Sequence, residues 1–323
     1  MDDINTLKYK VGGLLYIPAF KDGIADKILK RKYRNLTSVC FCLEDSIMDD
    51  AVESAEKQLI STLSEIKTRA SDLRSLPLIF IRTRSGAHFK AFSEKLGDVS
   101  DIVTGFVFPK FNNINGKEYF GILSDLNRSA NKKFYGMPIL ESIAVADKRM
   151  RSRNLCEIAD IIGQNKDLTL NVRVGGNDFC RLYGLRRNCR QTIYDICVVR
   201  DILTDILNMF CADYVVSGPV WEYFGTDISD PWAKGLIREL ELDRLNGFIG
   251  KTAIHPCQLP LIFNSLKVSS EDYNDAISVL DWRSDRAGVI KGGSIKAPRM
   301  NEVKCHTDWA ARIKILGEIY GVR

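Results

Sequence analysis

Histidine is nearly absent from this chain. Three in 323 residues, His88, His255 and His306, offer little material for a zinc site. The nine cysteines form no C-x-x-C pair and sit mostly among apolar neighbours, which suits reduced core thiols better than metal or disulfide chemistry. Nor is there an apolar stretch of the ~18 residues that a membrane helix needs, and the N-terminus, MDDINTLKYK, lacks the apolar core of a secretory signal. A cytoplasmic protein with no membrane partner is expected. No run of five like charges occurs. The 46 basic and 41 acidic residues leave a net charge of only +5, so dedicated nucleic-acid binding is excluded while anionic substrates remain suitable. The densest basic cluster, Lys27, Lys30, Arg31, Lys32 and Arg34, has largely helical spacing and reads as a solvated face. Both G-x-G-x-x-G and the P-loop pattern are missing, which removes support from the nucleotide folds.

What the chain does contain is a regular alternation. Eight short apolar runs, at 13–18, 39–45, 76–82, 105–110, 137–141, 168–176, 214–219 and 252–256, read as strands. Amphipathic segments such as 50–70, 117–127, 148–162, 190–210 and 231–246 read as helices between them. Strand and helix in turn imply parallel βαβ units, and eight units in roughly 260 residues fit a closed (β/α)8 barrel, a TIM barrel, of class α/β. The barrel is expected over residues 1–267. Residues 268–323 then form a C-terminal extension: a helix at 269–282, a Gly-, Lys- and Arg-rich loop at 284–299 and a closing helix at 301–320.

In such a barrel the C-terminal strand ends share one face, where active sites are assembled. The ends here are charged. The second run closes in Glu44-Asp45, the third in Arg82, the fourth in Pro109-Lys110, the fifth in Glu141, and the sixth, VRVGGNDF, in Asp178. Glu141 and Asp178 lie about one βα unit apart, so they should stand on neighbouring strands ~4.8 Å apart. Two carboxylates that close repel each other unless a cation joins them, and Mg²⁺, which commonly takes one or two protein carboxylates, is the economical choice. Gly175 and Gly176 are expected to let the backbone turn sharply and approach a ligand. Arg173 and Arg84 are further candidate anion ligands, and Arg186 and Arg187 candidate grips for a phosphate or CoA-like handle. The competing reading is that these charges are ordinary caps and surface ion pairs.

The motifs LLYIPAF, FCLEDSI, IFIRTRSG, GFVFPKF, MPILESI, VGGNDF and GKTAIHPCQ, in that order over residues 13–267, resemble the citrate lyase β-subunit-like branch of the HpcH/HpaI aldolase superfamily. The arginine-rich VRVGGNDFCRLYGLRR further resembles the divergent C–C bond lyase subgroup found with tellurium-resistance gene clusters. The resemblance implies that Glu141 and Asp178 hold Mg²⁺, that Arg82 binds a substrate carboxylate or enolate oxygen, and that Glu44 and Asp45 orient it. Lys110 falls on the family's P-K, Gly250-Lys251 on its G-K, and His255-Pro256 on its H-P-x-Q. A homo-oligomer such as a trimer is implied as well. Two departures stand out. Asn177 replaces the first acid of G-x-E-D, and the lid motif G-K-M-I-D-x-P reads Gly292-Gly293-Ser294-Ile295-Lys296-Ala297-Pro298, with lysine in place of the catalytic aspartate.

The expected activity is Mg²⁺-assisted C–C cleavage, or its aldol or Claisen-type reverse, on a small oxo- or hydroxy-acid or its acyl-CoA thioester. Arg82, Glu44 and Asp45 are the candidate catalytic residues; Arg82, Lys110, Gly175, Gly176 and Arg173 the candidate substrate contacts; Glu141 and Asp178 the metal ligands. The proton carrier is left open among Glu44, a metal-bound water and Lys296. A Schiff-base aldolase using Lys110 is disfavoured, because neighbouring acids would keep that lysine charged. The alternative from another class is a catalytically degenerate barrel that binds a metabolite or a partner protein without turnover.

Overall fold

All eight apolar runs contribute strands, and these form one parallel sheet: β1 Gly13–Pro18, β2 Ser38–Cys42, β3 Leu78–Arg82, β4 Gly105–Phe108, β5 Tyr135–Leu140, β6 Val172–Val174, β7 Val216–Ser217 and β8 Lys251–Ala253. The computed structural model describes residues 3–283 and 287–323. Pairing runs β7-β6-β5-β4-β3-β2-β1-β8, and a single parallel bridge, Gly218 to Lys251, joins the two ends. The result is a (β/α)8 barrel with a thin seam between β7 and β8.

Period-two alternation divides each strand between two cores. Leu14, Cys40, Phe80, Val107, Met137 and Ile139 fill the barrel, while Leu15, Val39, Phe41, Ile79, Phe106 and Leu140 pack outward against the helices. The same alternation explains how charge enters the barrel. Arg82 lies two residues beyond Phe80, and Glu141 two beyond Ile139, so both continue the inward-facing series above the last apolar layer.

Three elements differ from the sequence reading. The sixth strand is three residues long rather than nine, because the chain turns at Gly175 into a short helix, Gly176–Leu182. Asp178 therefore sits in the first turn of that helix and not on the strand itself. In the extension, the segment read as a loop forms an antiparallel hairpin, β9 Val289–Gly293 and β10 Pro298–Glu302, with residues 284–286 outside those described. The Asp275 carboxylate ties this hairpin to helix Ser270–Leu280 by accepting from Gly293 N at 2.9 Å and Arg299 Nε at 2.6 Å.

A first helix, Ile4–Lys10, was not among those expected. It lies beside the closing helix Val303–Tyr320, whose Tyr320 hydroxyl donates to Tyr9 O at 2.6 Å. Gly12 has φ +53 and its absent Cβ leaves the room that the Tyr320 hydroxyl occupies, so here a glycine is required twice over. Among the described residues, no helix is long and apolar enough to cross a membrane.

Candidate active site

The charged strand ends meet. Arg82, the last residue of β3, is 6% exposed, and its Nη2 lies 2.8 Å from Glu44 Oε2, 2.9 Å from Asp45 Oδ2 and 3.2 Å from Glu141 Oε1. Lys110, two residues past β4, reaches the same group from the other side: its Nζ pairs with Glu44 and lies 3.4 Å from Asp45. Its backbone N–H donates to Glu141 Oε1 at 2.9 Å. That contact depends on an unusual conformation. Lys110 has φ +50, a left-handed state that a lysine rarely adopts, and the side-chain amides of Asn112 and Asn115 hold it by both donating to Lys110 O at 3.1 Å.

Glu141 and Asp178 converge on Gly175. A Cβ at that position would lie 2.3 Å from Glu141 Cβ, 2.6 Å from Glu141 Oε2 and 3.3 Å from Asp178 Oδ2. Two carboxylate oxygens from different elements thus crowd one point that only glycine leaves open. Gly175 has φ −103, open to any residue, so the turn into the helix does not itself require glycine there and the close approach does. Gly176 packs likewise against Pro219. Burial pushes the Glu141 carboxyl up to about 7; Arg82 opposes this and Asp178 reinforces it. A buried acid that retains a proton near neutrality beside a second carboxylate is a place where a divalent cation can replace that proton. Among the described residues no cluster of three or more His, Cys, Asp or Glu side chains could hold a metal. The two-carboxylate set fits Mg²⁺, which leaves its other positions to water and substrate oxygens.

A cleft of about 310 Å³ opens above this group, lined by Tyr16, Asp45, Arg82, Ile139, Glu141, Arg173, Gly175, Asn177, Asp178, Val220, Thr252 and Ile254, with Val174 behind. Tyr16 and Thr252 escaped the sequence reading because neither ends a strand with a charge. Their signal was positional: Tyr16 continues the inward series from Leu14, and the Arg82 guanidinium lies 5.8 Å from its ring centroid. Burial raises the Tyr16 phenol well above its usual value. Burial also raises the Glu44 carboxyl, against the pull of Arg82. For Lys110 burial acts downward, but the hydrogen bond and charge of Glu44, with Asp45, prevail and hold the ammonium above its ordinary value. Lys110 is thus poorly placed to be a nucleophile.

Other candidates lie elsewhere. Arg84 donates to Leu43 O at 3.0 Å and Ile47 O at 3.1 Å and pairs with Asp49, so it braces the loop that carries Glu44 and Asp45. Arg187, 2% exposed, stacks 5.0 Å over the Trp221 ring and lies 3.3 Å from Glu239; it is structural and offers no handle to a ligand. Arg186 remains largely exposed, 3.4 Å from Glu222. Lys251 points away from the cleft into a buried set with Glu239 at 2.9 Å and Asp243 at 2.7 Å. His255 stacks on Phe224 at 4.6 Å, and Gln258 Nε2 donates to Trp221 O and Tyr223 O, both at 2.9 Å, so the H-P-x-Q stretch tethers the loop after β7. Lys296 lies between β9 and β10 and is not part of the cleft lining.

A search of curated proteins finds no match. Several solved structures share the fold. CitE from Mycobacterium tuberculosis, in complex with magnesium, acetoacetate and coenzyme A, is 19% identical over 94% of this chain and 99% of its own, with a TM-score of 0.57. A citrate lyase from Burkholderia xenovorans LB400 is 13% identical over 97% of this chain and 93% of its own, with a TM-score of 0.72. RipC from Yersinia pestis is 17% identical over 80% and 95%, with a TM-score of 0.54. At these identities the likeness establishes the barrel alone. The family model described as C-C_Bond_Lyase of the TIM-Barrel fold matches residues 5–322. With nearly its whole length matched, the chain belongs to this family of carbon–carbon bond lyases built on the TIM barrel.

Proposed function

We propose that the protein catalyses Mg²⁺-dependent cleavage of a C–C bond, or its aldol or Claisen-type reverse, on a small oxo- or hydroxy-acid. The observation that carries this reading is the convergence of Glu141 and Asp178 on Gly175, with Arg82 and Lys110 beside them. Glu44, Asp45 and Glu141 already face Arg82 and Lys110, whereas Asp178 has only the exposed Arg181 guanidinium at 3.9 Å, which leaves its carboxylate open to a divalent ion. Glu141 and Asp178 would hold the ion, which supplies Lewis-acid stabilisation of an enolate oxygen, an effect of several kcal/mol. The reaction needs that stabilisation because the electron pair of the breaking bond moves onto the carbonyl.

Arg82 orients Glu44, Asp45 and Glu141 through one nitrogen and lines the cleft, where its positive charge would stabilise a developing enolate. Glu44, buried and hydrogen-bonded to Lys110, stands behind the cleft lining and positions Arg82 and Asp45, which line it. The M. tuberculosis relative is in complex with an oxo-acid and coenzyme A. Here a cleft of about 310 Å³ is at the small end of ligand sites, which run ~300–1,000 Å³, and suits the acyl end of a thioester or a free acid of a few carbons.

The replacement of the lid aspartate by Lys296 favours a second reading, a barrel that binds without turnover. Titration of Mg²⁺ with and without oxaloacetate or pyruvate, on wild type and Asp178→Asn, tests the first. Metal binding strengthened by the oxo-acid and lost in the variant is expected; no metal binding in any combination would overturn it.

A further inference from the structure

A second cavity, of about 960 Å³, opens on the opposite face of the barrel, where the strands begin. Thr37, which leads into β2, and Pro77 and Leu78, which open β3, form two of its sides, and Glu318 of the closing helix contributes a third. Among the described residues six cationic side chains line it, Lys10, Lys27, Arg31, Arg34, Arg69 and Arg74, against one carboxylate, Glu318. The basic cluster that reads in the sequence as one solvated face is therefore divided. Lys27, Arg31 and Arg34 line the cavity, whereas Lys30 and Lys32 do not, and Lys30 pairs instead with Asp26 at 2.8 Å.

Part of this charge is already matched: Arg69 pairs with Asp26 and Glu65, and Arg74 with Asp72. Among the described residues no carboxylate lies within ion-pair distance of Lys27, Arg31 or Arg34. Arg31 is the informative member of the three. Helix Ile24–Leu29 ends with Lys32 N–H donating to Lys27 O at 2.9 Å and Arg31 N–H to Ile28 O at 3.0 Å, a paired closure built around one residue in the left-handed conformation. Glycine usually fills that position, because it has no Cβ to clash. Here arginine does, at φ +51. Among the described residues the only other left-handed residue that is neither glycine nor asparagine is Lys110, in the candidate active site. Arg31 is exposed and unpaired, so neither burial nor an ion pair offsets the strain. The helix dipole favours cations at this end, but Arg34, Arg69 and Arg74 come from other segments.

We propose that this cavity is a second ligand site, remote from the cleft, and that it binds an oligophosphate group through Lys27, Arg31 and Arg34. Unpaired cations gathered from one short stretch of chain match a ligand that carries several negative charges close together. A di- or triphosphate does so on few atoms and presents the oxygens that guanidinium groups grip in bidentate fashion. The volume is near the upper end of the ~300–1,000 Å³ range of ligand sites, so it has room for more than the phosphates. Tyr33, Leu76 and Pro77 supply a less polar side against which an organic body can rest. None of the lining residues belongs to the cleft, so the inference is independent of the lyase reading.

Calorimetric titration of tripolyphosphate, inorganic phosphate and ATP into the full chain tests the site, with EDTA present so that no divalent ion bridges a ligand to Glu141 and Asp178. Tripolyphosphate should bind at least about tenfold more tightly than inorganic phosphate, and more weakly as salt is raised. Arg31→Gly and Arg34→Gln should each weaken tripolyphosphate about tenfold, the scale of one charged hydrogen-bonded contact. Lys32→Ala removes a charge from the same cluster but outside the cavity, and should change the affinity by less than about twofold. Arg31→Gly should also leave the melting temperature unchanged or higher, because glycine suits the left-handed position, so its loss of binding is separable from any loss of fold. ATP binding more tightly than tripolyphosphate would identify a nucleoside-borne phosphate chain, and equal affinity a contact with the phosphates alone; both outcomes support the site. No binding of tripolyphosphate would overturn it. So would binding no tighter than that of inorganic phosphate, an equal loss in Lys32→Ala, or unchanged affinity in both arginine variants. Asp178→Asn should bind tripolyphosphate as wild type does, so a failure here leaves the lyase reading standing.

Discussion

Glu141 is drawn in two directions. Burial and Asp178 favour its neutral form, while Arg82 and the Lys110 N–H favour the carboxylate, and the balance lies at about 7. With Glu141 as the proposed metal ligand, metal and proton would compete for one group. Mg²⁺ affinity should rise about tenfold per pH unit below about 7 and level off above it, with close to one proton released per ion near pH 6. Titration in buffers of different ionisation enthalpy measures that proton. The stability of the metal-free protein should show the opposite trend. The unfolded carboxyl titrates near ~4.3, so between there and about 7 the folded state holds a proton that the unfolded state lacks. That contribution is complete below ~4.3 and is lost as pH rises through about 7. Urea denaturation at pH 5 and pH 8 should therefore show wild type losing more stability than Glu141→Gln over the same interval. The same substitution should weaken Mg²⁺ binding by ~10²-fold or more and abolish metal-dependent turnover, since several kcal/mol of charge stabilisation goes with it. Far-UV circular dichroism should remain that of the wild type.

The turn between β6 and the helix Gly176–Leu182 is the element that assembles the site. Adding a methyl group at each glycine separates its two roles. Gly175→Ala places a Cβ 2.3 Å from Glu141 Cβ and 2.6 Å from Oε2, so the carboxylate must move off the point it shares with Asp178. Overpacking of this kind costs about 1–3 kcal/mol, and Mg²⁺ affinity should fall at least tenfold. Gly176→Ala instead meets Pro219 Cβ at 2.7 Å, on the side away from the carboxylates. It should lower the denaturation midpoint by a comparable amount while Mg²⁺ affinity stays within about threefold of wild type. Calorimetry together with thermal denaturation of the two variants checks the separation.

Closure of the barrel depends on charge buried behind its seam. The bridge between β7 and β8 is thin, and behind it Lys251, wholly buried, is held by Glu239 and Asp243 from helix Pro231–Asn246. Tyr194 donates to Asp243 at 2.7 Å, and Arg187 shares Glu239. Lys251→Met would leave two buried carboxylates short of their cation, and removing one partner of such a set typically costs about 3–5 kcal/mol. The urea midpoint should fall accordingly. Lys251→Met together with Asp243→Leu should recover part of the loss. Because Lys251 points away from the cleft, any variant that stays folded should keep its Mg²⁺ affinity.

The barrel was legible in the sequence because period-two apolar runs separated by amphipathic helices leave few other ways to bury both faces of a strand. Glu44, Asp45, Arg82, Lys110 and Glu141 were legible for a related reason: parallel strands deliver their ends to one face, so charge after an apolar run marks the rim. The remainder depended on contacts that no local pattern encodes. Arg187 looks like a ligand grip in the sequence and Lys251 falls on a motif of the family, yet pairing with acids on helix Pro231–Asn246 makes both structural. Tyr16 and Thr252 look like ordinary strand residues until closure of the barrel sets them around Arg173. Order along the chain determined which face carries the chemistry. Which of its charges are already neutralised, and which still await a partner, was decided by tertiary structure, because a charge is completed by neighbours in space.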